Sequence, residues 1–297
     1  MNHESVLLQE VIAGLDLRPG LTVLDATLGD GGHSQAMSEA IGSTGHLIGL
    51  DVDPAALERA KINLASLPCS TTFLTGNFRD LDQYLASIGV TSIDRALFDL
   101  GLSSPQLADF TRGFSFQRNG PLFMTLSGAD TEGLNAARLV NELSIPQLTD
   151  ILNRYGEESH ARRIAEAIVT ARRVAPILTT FNLVEIIAQA VPKSYRFARK
   201  HFATKTFQAL RIATNDELEA LTLGLLVVWK YLTLKGRIAI ISFHSLEARI
   251  VKEYFRNLVR EGNGELITKH AIRPNREEVF RNPRSRSATL RIISKIT

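Results

Sequence analysis

The chain has 297 residues, of which 44% are hydrophobic and 22% charged, and it carries a formal net charge of +3. This ordinary globular composition excludes a disordered or fibrous protein and allows one large or two modest domains. A single cysteine, Cys69, excludes an intramolecular disulfide and any cysteine-based metal cluster. No His/Asp/Glu spacing suggests a metal either, so none is expected.

From the N-terminus, MNHESVLLQE lacks the basic and then apolar pattern of a signal peptide. Leu21–Ala26, His46–Asp51, Thr71–Thr75 and Asp94–Leu100 read as four strands. Helix-forming stretches at Ser34–Ile41, Pro54–Leu64 and Leu81–Ile88 separate or follow them. Strands alternating with helices imply right-handed crossovers and a parallel, doubly wound sheet. From about Ala108 the strand pattern stops, and Asn135–Glu142, Ile145–Tyr155, Ser159–Arg173 and Leu183–Val191 read as helices, with Thr180 and Asn182 as N-cap candidates for the fourth. Thr206–Lys235 continues as mostly helix. Its apolar run, Leu221–Leu234, contains Lys230 and is shorter than the roughly 20 residues a membrane span needs. A buried helix is expected there, with no membrane association and a cytoplasmic address by default. Gly236–Phe243 is a strand, Leu246–Arg260 a helix and Ala288–Ile296 a closing strand. The expected fold is α/β, a doubly wound, Rossmann-like sheet with an inserted all-helical domain. The expected boundaries are 1–107 and 206–297 for the sheet domain and 108–205 for the insertion.

Basic residues gather in two segments. One runs from Arg154 through Arg162, Arg163, Arg172, Arg173, Lys193, Arg196, Arg199, Lys200 and Lys205 to Arg211. The other holds Arg273, Arg276, Arg281, Arg284, Arg286 and Arg291. They are either solvated helix faces or the electropositive footprint of a nucleic acid.

The first strand runs into Asp25-Ala-Thr-Leu-Gly-Asp-Gly-Gly-His33. Glycines where a strand turns into a helix let the backbone approach a ligand closely. The second strand ends on Asp51, about twenty residues further on, where a carboxylate can hold a ribose diol. A dinucleotide site wants G-x-G-x-x-G and a pyrophosphate on the helix N-terminus. Here the spacing is G-x-G-G, Ser34 holds the third glycine's place, and Asp25 and Asp30 add negative charge. That field repels pyrophosphate and suits the sulfonium and ammonium of S-adenosylmethionine. Asp99 closes the fourth strand and opens Asp99-Leu-Gly-Leu-Ser-Ser-Pro-Gln106. Ser104-Pro105 is a loose relative of the Ser/Asn/Asp-Pro-Pro-aromatic turn with which amine methyltransferases hold their target.

With LDATLGDGGHS, GLDVDPAAL (Gly49–Leu57), DLGLSSPQL (Asp99–Leu107), RGFSF (Arg112–Phe116), NRYGEESHARRIAEAIV (Asn153–Val169), ATKTFQALRIATNDEL (Ala203–Leu218), ISFHSLE (Ile241–Glu247) and NPRSRSATLR (Asn282–Arg291) in order, the chain resembles the MraW/RsmH family over nearly its whole length. His3 and Gly76-Asn-Phe78 extend the match. These bacterial enzymes methylate the exocyclic N(4) of a decoding-centre cytidine in 16S rRNA. The resemblance implies a cofactor site at Gly31, Gly32, His33, Asp51, Phe78, Asp99 and Gln106, with Phe78 against the adenine. It also implies a small-ribosomal-subunit partner, an RNA-gripping helical domain, and His244 at the target pocket. Asp99 with the hydroxyls and backbone of Ser103 and Ser104 is then the expected catalytic group, accepting a hydrogen bond from the target amine. The sequence admits a monomer or a homodimer.

The family pattern Pro-Leu-Asp-Met-Arg-Met-Asp is replaced here by Pro121-Leu-Phe-Met-Thr-Leu-Ser127. Loss of charge at Phe123, Thr125 and Ser127 keeps two alternatives open. One is a relative that binds RNA or ribosomal subunits without methylating them. The other is an amine methyltransferase acting on another nucleic acid. An NAD-dependent dehydrogenase is the remaining fold-level alternative.

Overall fold

The computed structural model describes residues 5–128, 133–198 and 200–297, so His3 and Arg199 lie outside the described residues. The chain divides into two units, Met1–Gly101 with Leu218–Thr297, and Leu102–Glu217.

The first unit is built on a seven-stranded sheet. Its strands are β1 (Thr22–Asp25), β2 (His46–Asp51), β3 (Ser70–Thr75), β4 (Ile93–Asp99), β5 (Leu232–Ser242), β6 (Gly264–Leu266) and β7 (Thr289–Lys295), in the order β3-β2-β1-β4-β5-β7-β6. The five strands from β3 to β5 are parallel, while β7 runs antiparallel between β5 and β6. In β1, β2 and β4 the apolar residues run almost without interruption because both faces are covered. Val11, Leu15, Met37, Ile41 and Ile292 belong to the core on one side. Leu81, Leu85, Leu221, Leu225 and Phe255 belong to the other core. β1 pairs with β2 on one side and β4 on the other, so the strand order reverses there, and ligands of such sheets bind outside the carboxyl ends at that point.

The second unit packs helices Ala136–Glu142, Ile145–Gly156, Ala161–Arg172, Thr180–Ala190 and Thr204–Asn215 around Leu139, Leu148, Leu152, Ile164, Leu183 and Leu210. The sequence reading drew its ends at 108 and 205. The structure draws them at Leu102 and Glu217, because Leu102, Leu107, Phe207 and Leu210 all pack into the helical core.

Other differences are local. Thr206–Lys235 is not one helix. It breaks at Asp216, which sits in the left-handed region at φ 49°, and resumes as Glu217–Tyr231. Leu232–Lys235 already belongs to β5. The N-cap before Thr180–Ala190 is Thr179, whose side chain accepts from the Asn182 N–H. Helices Leu8–Leu15 and Arg276–Arg281, and the short β6, had not been expected. No helix among the described residues is long and apolar enough to cross a membrane.

Candidate active site

The carboxyl ends of β1, β2 and β4 each carry an aspartate. Asp25 ends β1 with its carboxyl buried, accepting from the Thr27 N–H at 3.2 Å and from Ser34 Oγ at 2.7 Å. Burial outweighs those bonds and pushes its pKa up to about 6. The turn that follows needs glycine for two separate reasons. Gly31 caps helix Gly32–Ile41 at φ 88°, where a Cβ would meet the Leu64 side chain at 2.7 Å. A Cβ on Gly32 would lie 2.2 Å from Ser5 Oγ.

Asp51 braces this turn from the next strand. Its Oδ2 accepts from the Gly29 N–H at 2.7 Å, and its Oδ1 accepts from the Asp53 N–H at 2.8 Å. Burial holds this carboxyl, too, above the ordinary aspartate range. Asp30 behaves differently from the sequence expectation. It pairs with Arg59 Nε at 2.8 Å, so its charge is compensated, and the acids left to meet a cation are Asp25, Asp51 and Asp99.

Asp99 is the most burdened of the three. Its N–H donates to Thr27 Oγ1 at 2.6 Å, which ties the end of β4 to the turn after β1. Its Oδ2 lies 3.6 Å from His33 Nδ1, and its Oδ1 is shut away from solvent with no hydrogen-bond partner among the described residues. Burial, with the Asp25 and Glu247 carboxylates nearby, pushes its pKa up to about 8. His33 Nε2 is 3.0 Å from the Val6 carbonyl oxygen. A carbonyl can only accept, so Nε2 carries a proton and donates it to Val6.

Gly31, Gly32, His33, Asp51 and Asp99 are therefore assembled at one sheet edge in the first unit. Phe78 belongs to the same unit. It opens a short 3₁₀ turn and is half-buried, its ring meeting Phe98 edge-on at 5.6 Å while Gly224 leaves room for it. Ser103, Ser104 and Gln106 belong to the second unit and form a local device. The Gln106 N–H donates to Ser103 Oγ at 3.3 Å and the Ser103 N–H to Gln106 Oε1 at 3.0 Å, a capping box that starts helix Ser104–Ala108. His244 also caps a helix, Ser245–Arg260, its Nδ1 accepting from the Glu247 N–H while Glu247 Oε2 accepts from the Phe243 N–H at 2.9 Å. The sequence reading overlooked Thr27 and Glu247. The string His-Ser-Leu-Glu has the cap-x-x-Glu form that could have exposed Glu247.

A doubly wound sheet whose switch point presents glycines and three aspartates largely withdrawn from water, with no Lys or Arg paired to Asp99 among the described residues, is built for a cationic nucleoside. That is the site of an S-adenosylmethionine-dependent methyltransferase. The chain belongs to the MraW methylase family, whose sequence profile matches residues 1–296. Curated relatives include the ribosomal RNA small subunit methyltransferases H of Koribacter versatilis and Thermomicrobium roseum. The first is 46% identical over 302 residues and the second 44% over 309, each alignment covering 99% of this chain and 94% of the relative. Among solved structures, an rRNA methylase from Streptococcus thermophilus is similar with a TM-score of 0.46 at 13% identity, over 98% of this chain and 93% of that one. The residues present fit the cofactor, because the orphaned, buried Asp99 Oδ1 calls for a donor or a positive charge.

Proposed function

We propose that the protein methylates the exocyclic N(4) amine of a decoding-centre cytidine in the 16S rRNA of the small ribosomal subunit. The observation that carries this reading is Asp99, whose Oδ1 is buried without a partner among the described residues at the switch point of a methyltransferase sheet. The names of the curated relatives support the rRNA substrate.

Bound S-adenosylmethionine supplies an electrophilic methyl on a sulfonium. The glycine turn lets the backbone approach the cofactor, and Asp51 uses its remaining lone pairs for the ribose hydroxyls. The resemblance assigns the adenine to Phe78. Gln106 acts through its capping box, holding Ser103 and Ser104 in place. Cytosine's amine is a poor nucleophile because its lone pair is delocalised into the ring. Taking the base out of its stack costs a few kcal/mol, and setting the amine in line with the methyl then supplies much of the acceleration. Positive charge next to Asp99 favours its carboxylate form. That carboxylate would accept a hydrogen bond from the amine and take its proton as the N–C bond forms, the sulfonium C–S bond breaking to leave S-adenosylhomocysteine. His33, fixed by the Val6 carbonyl, places Nδ1 3.6 Å from the carboxyl's Oδ2.

The non-methylating alternative arises from the altered Phe123–Ser127 segment. That segment is anchored through its backbone. Arg112 donates to the Thr125 and Leu126 carbonyls at 2.9 and 2.6 Å, and Asn215 bonds the Leu126 N–H and the Met124 carbonyl at 2.8 and 2.7 Å. Side-chain changes there leave these bonds intact, which favours the catalytic reading. The test is transfer of labelled methyl from S-adenosylmethionine to small ribosomal subunits lacking the modification. Label in N(4)-methylcytidine is expected. No label, from a preparation that binds cofactor, overturns the proposal.

A further inference from the structure

Two antiparallel neighbours need only a hairpin of two to five residues, yet residues 267–288 separate β6 from β7. The connection instead carries a helix, Arg276–Arg281, and a 3₁₀ turn, Pro283–Ser287. It is firmly seated. Ile272 pairs with Leu290, Glu278 is buried and its Oε1 accepts from the Leu7 N–H at 2.8 Å, and Ser285 is fully buried with its Oγ donating to the Asn282 carbonyl. Asn275 caps helix Arg276–Arg281 by accepting from the Glu278 N–H at 2.8 Å.

The outward side has a different character. Arg273, Arg276, Arg284 and Arg286 are exposed, and Phe280 stands among them 87% exposed. Glu278, one of the segment's two acids, is turned inward, which leaves Glu277 as the acid on the outer side. A rigid support, a cluster of arginines and a bare aromatic ring are what single-stranded RNA requires, since every base has a face to stack and every linkage a phosphate.

The other basic segment is more committed than its sequence suggests. Arg154 pairs with Asp150, Arg162 with Glu166, and Arg211 with Glu217 through two nitrogens. Arg172 donates to the Val140 and Leu143 carbonyls, and Lys205 donates to the Glu157 carbonyl.

We propose that residues 269–287 are an RNA-docking surface of the first unit, with Phe280 stacking on an unpaired base and Arg273, Arg276, Arg284 and Arg286 holding the flanking phosphates. The proposal rests on the rRNA reading above. Its test is binding of the full-length Phe280→Ala, Phe280→Trp and Arg284→Ala/Arg286→Ala proteins to small ribosomal subunits lacking the modification, across a salt series. Binding of S-adenosylhomocysteine and sedimentation are measured on the same preparations. Phe280→Ala is expected to weaken subunit binding about tenfold, within the range of one lost stack. KM for subunits should rise with kcat at saturation unchanged, and Phe280→Trp should retain affinity. The double arginine variant should lower the slope of log K against log salt by about one per lost phosphate contact. Subunit binding by Phe280→Ala equal to wild type overturns the surface while leaving the rRNA reading intact. A loss of self-association in that variant without a loss of RNA binding also overturns it, making the face an interface between copies. Wild-type protein that binds S-adenosylhomocysteine but not subunits overturns the rRNA reading and the surface together.

Discussion

At the carboxyl edge of the sheet, Asp25, Asp51 and Asp99 are drawn out of water, and burial raises the pKa of each. On the outer faces of the helical unit charge is handled in the opposite way, although Arg112 and Glu158 are buried there. Arg138–Glu142, Arg154–Asp150 and Arg162–Glu166 are exposed pairs four residues apart on single helices, at 3.0, 3.4 and 2.9 Å. Such pairs contribute about 0.3–0.5 kcal/mol each. Buried carboxylates without cations cost far more, and folded proteins keep them where a ligand offsets the cost. The difference separates carboxyls placed for chemistry from exposed pairs that only brace single helices.

The largest effect should come from the edge. Asp99→Ala removes the acceptor for the amine's proton, and methyl transfer at saturating substrate should fall about 10²- to 10⁴-fold. Single-turnover label transfer measures this, and near-normal turnover would remove Asp99 from the mechanism. A smaller effect separates charge from shape. The Asp99 pKa lies at about 8 in the folded protein, above its unfolded value, so the native state binds the extra proton between roughly pH 4 and 8. The contribution of this group is therefore most favourable at low pH and is lost as pH rises through 8. Asp99→Asn carries no charge to bury. In the absence of cofactor its stability relative to wild type should grow from pH 5 to pH 8, reaching on the order of a few kcal/mol. Urea unfolding at several pH values checks this, and a pH-independent difference would mean that Asp99 is not held neutral.

Much of this edge was legible in the sequence because its signals are local. LTVLDA and HLIGLD are continuous apolar runs that end in aspartate, and the glycines fall between strand and helix. The Asp30–Arg59 ion pair was not legible, since it joins residues that only the fold brings together. Leu232–Lys235 was read as helix because a continuous apolar run fits either element, and only pairing with β4 made it strand. Helix Leu8–Leu15 starts without a side-chain cap, behind Leu7 in the left-handed region, so no start signal marked it. The Ser103–Gln106 capping box is visible as Ser-x-x-Gln, and this local duty occupies polar groups that the family resemblance assigns to the cofactor and the target amine.

Gly31→Ala tests the edge without touching a charge. At φ 88° a side chain costs about 1–2 kcal/mol, and the new Cβ also presses on Leu64. Thermal unfolding should show that loss, with weaker cofactor binding by calorimetry, while subunit binding is unchanged.

The smallest effect belongs to the helical unit. Arg162→Ala breaks the Arg162–Glu166 pair, in which the arginine side chain is 81% exposed. Water already solvates both partners, so stability should fall by no more than about 0.5 kcal/mol and less still at high salt. Chemical denaturation of wild type and variant at two salt concentrations reads this directly. A loss above about 1 kcal/mol, insensitive to salt, would place Arg162 in a tighter network than its exposure allows. The contrast between carboxyls withdrawn from water at the sheet edge and helix-surface pairs left in it would then fail at this pair.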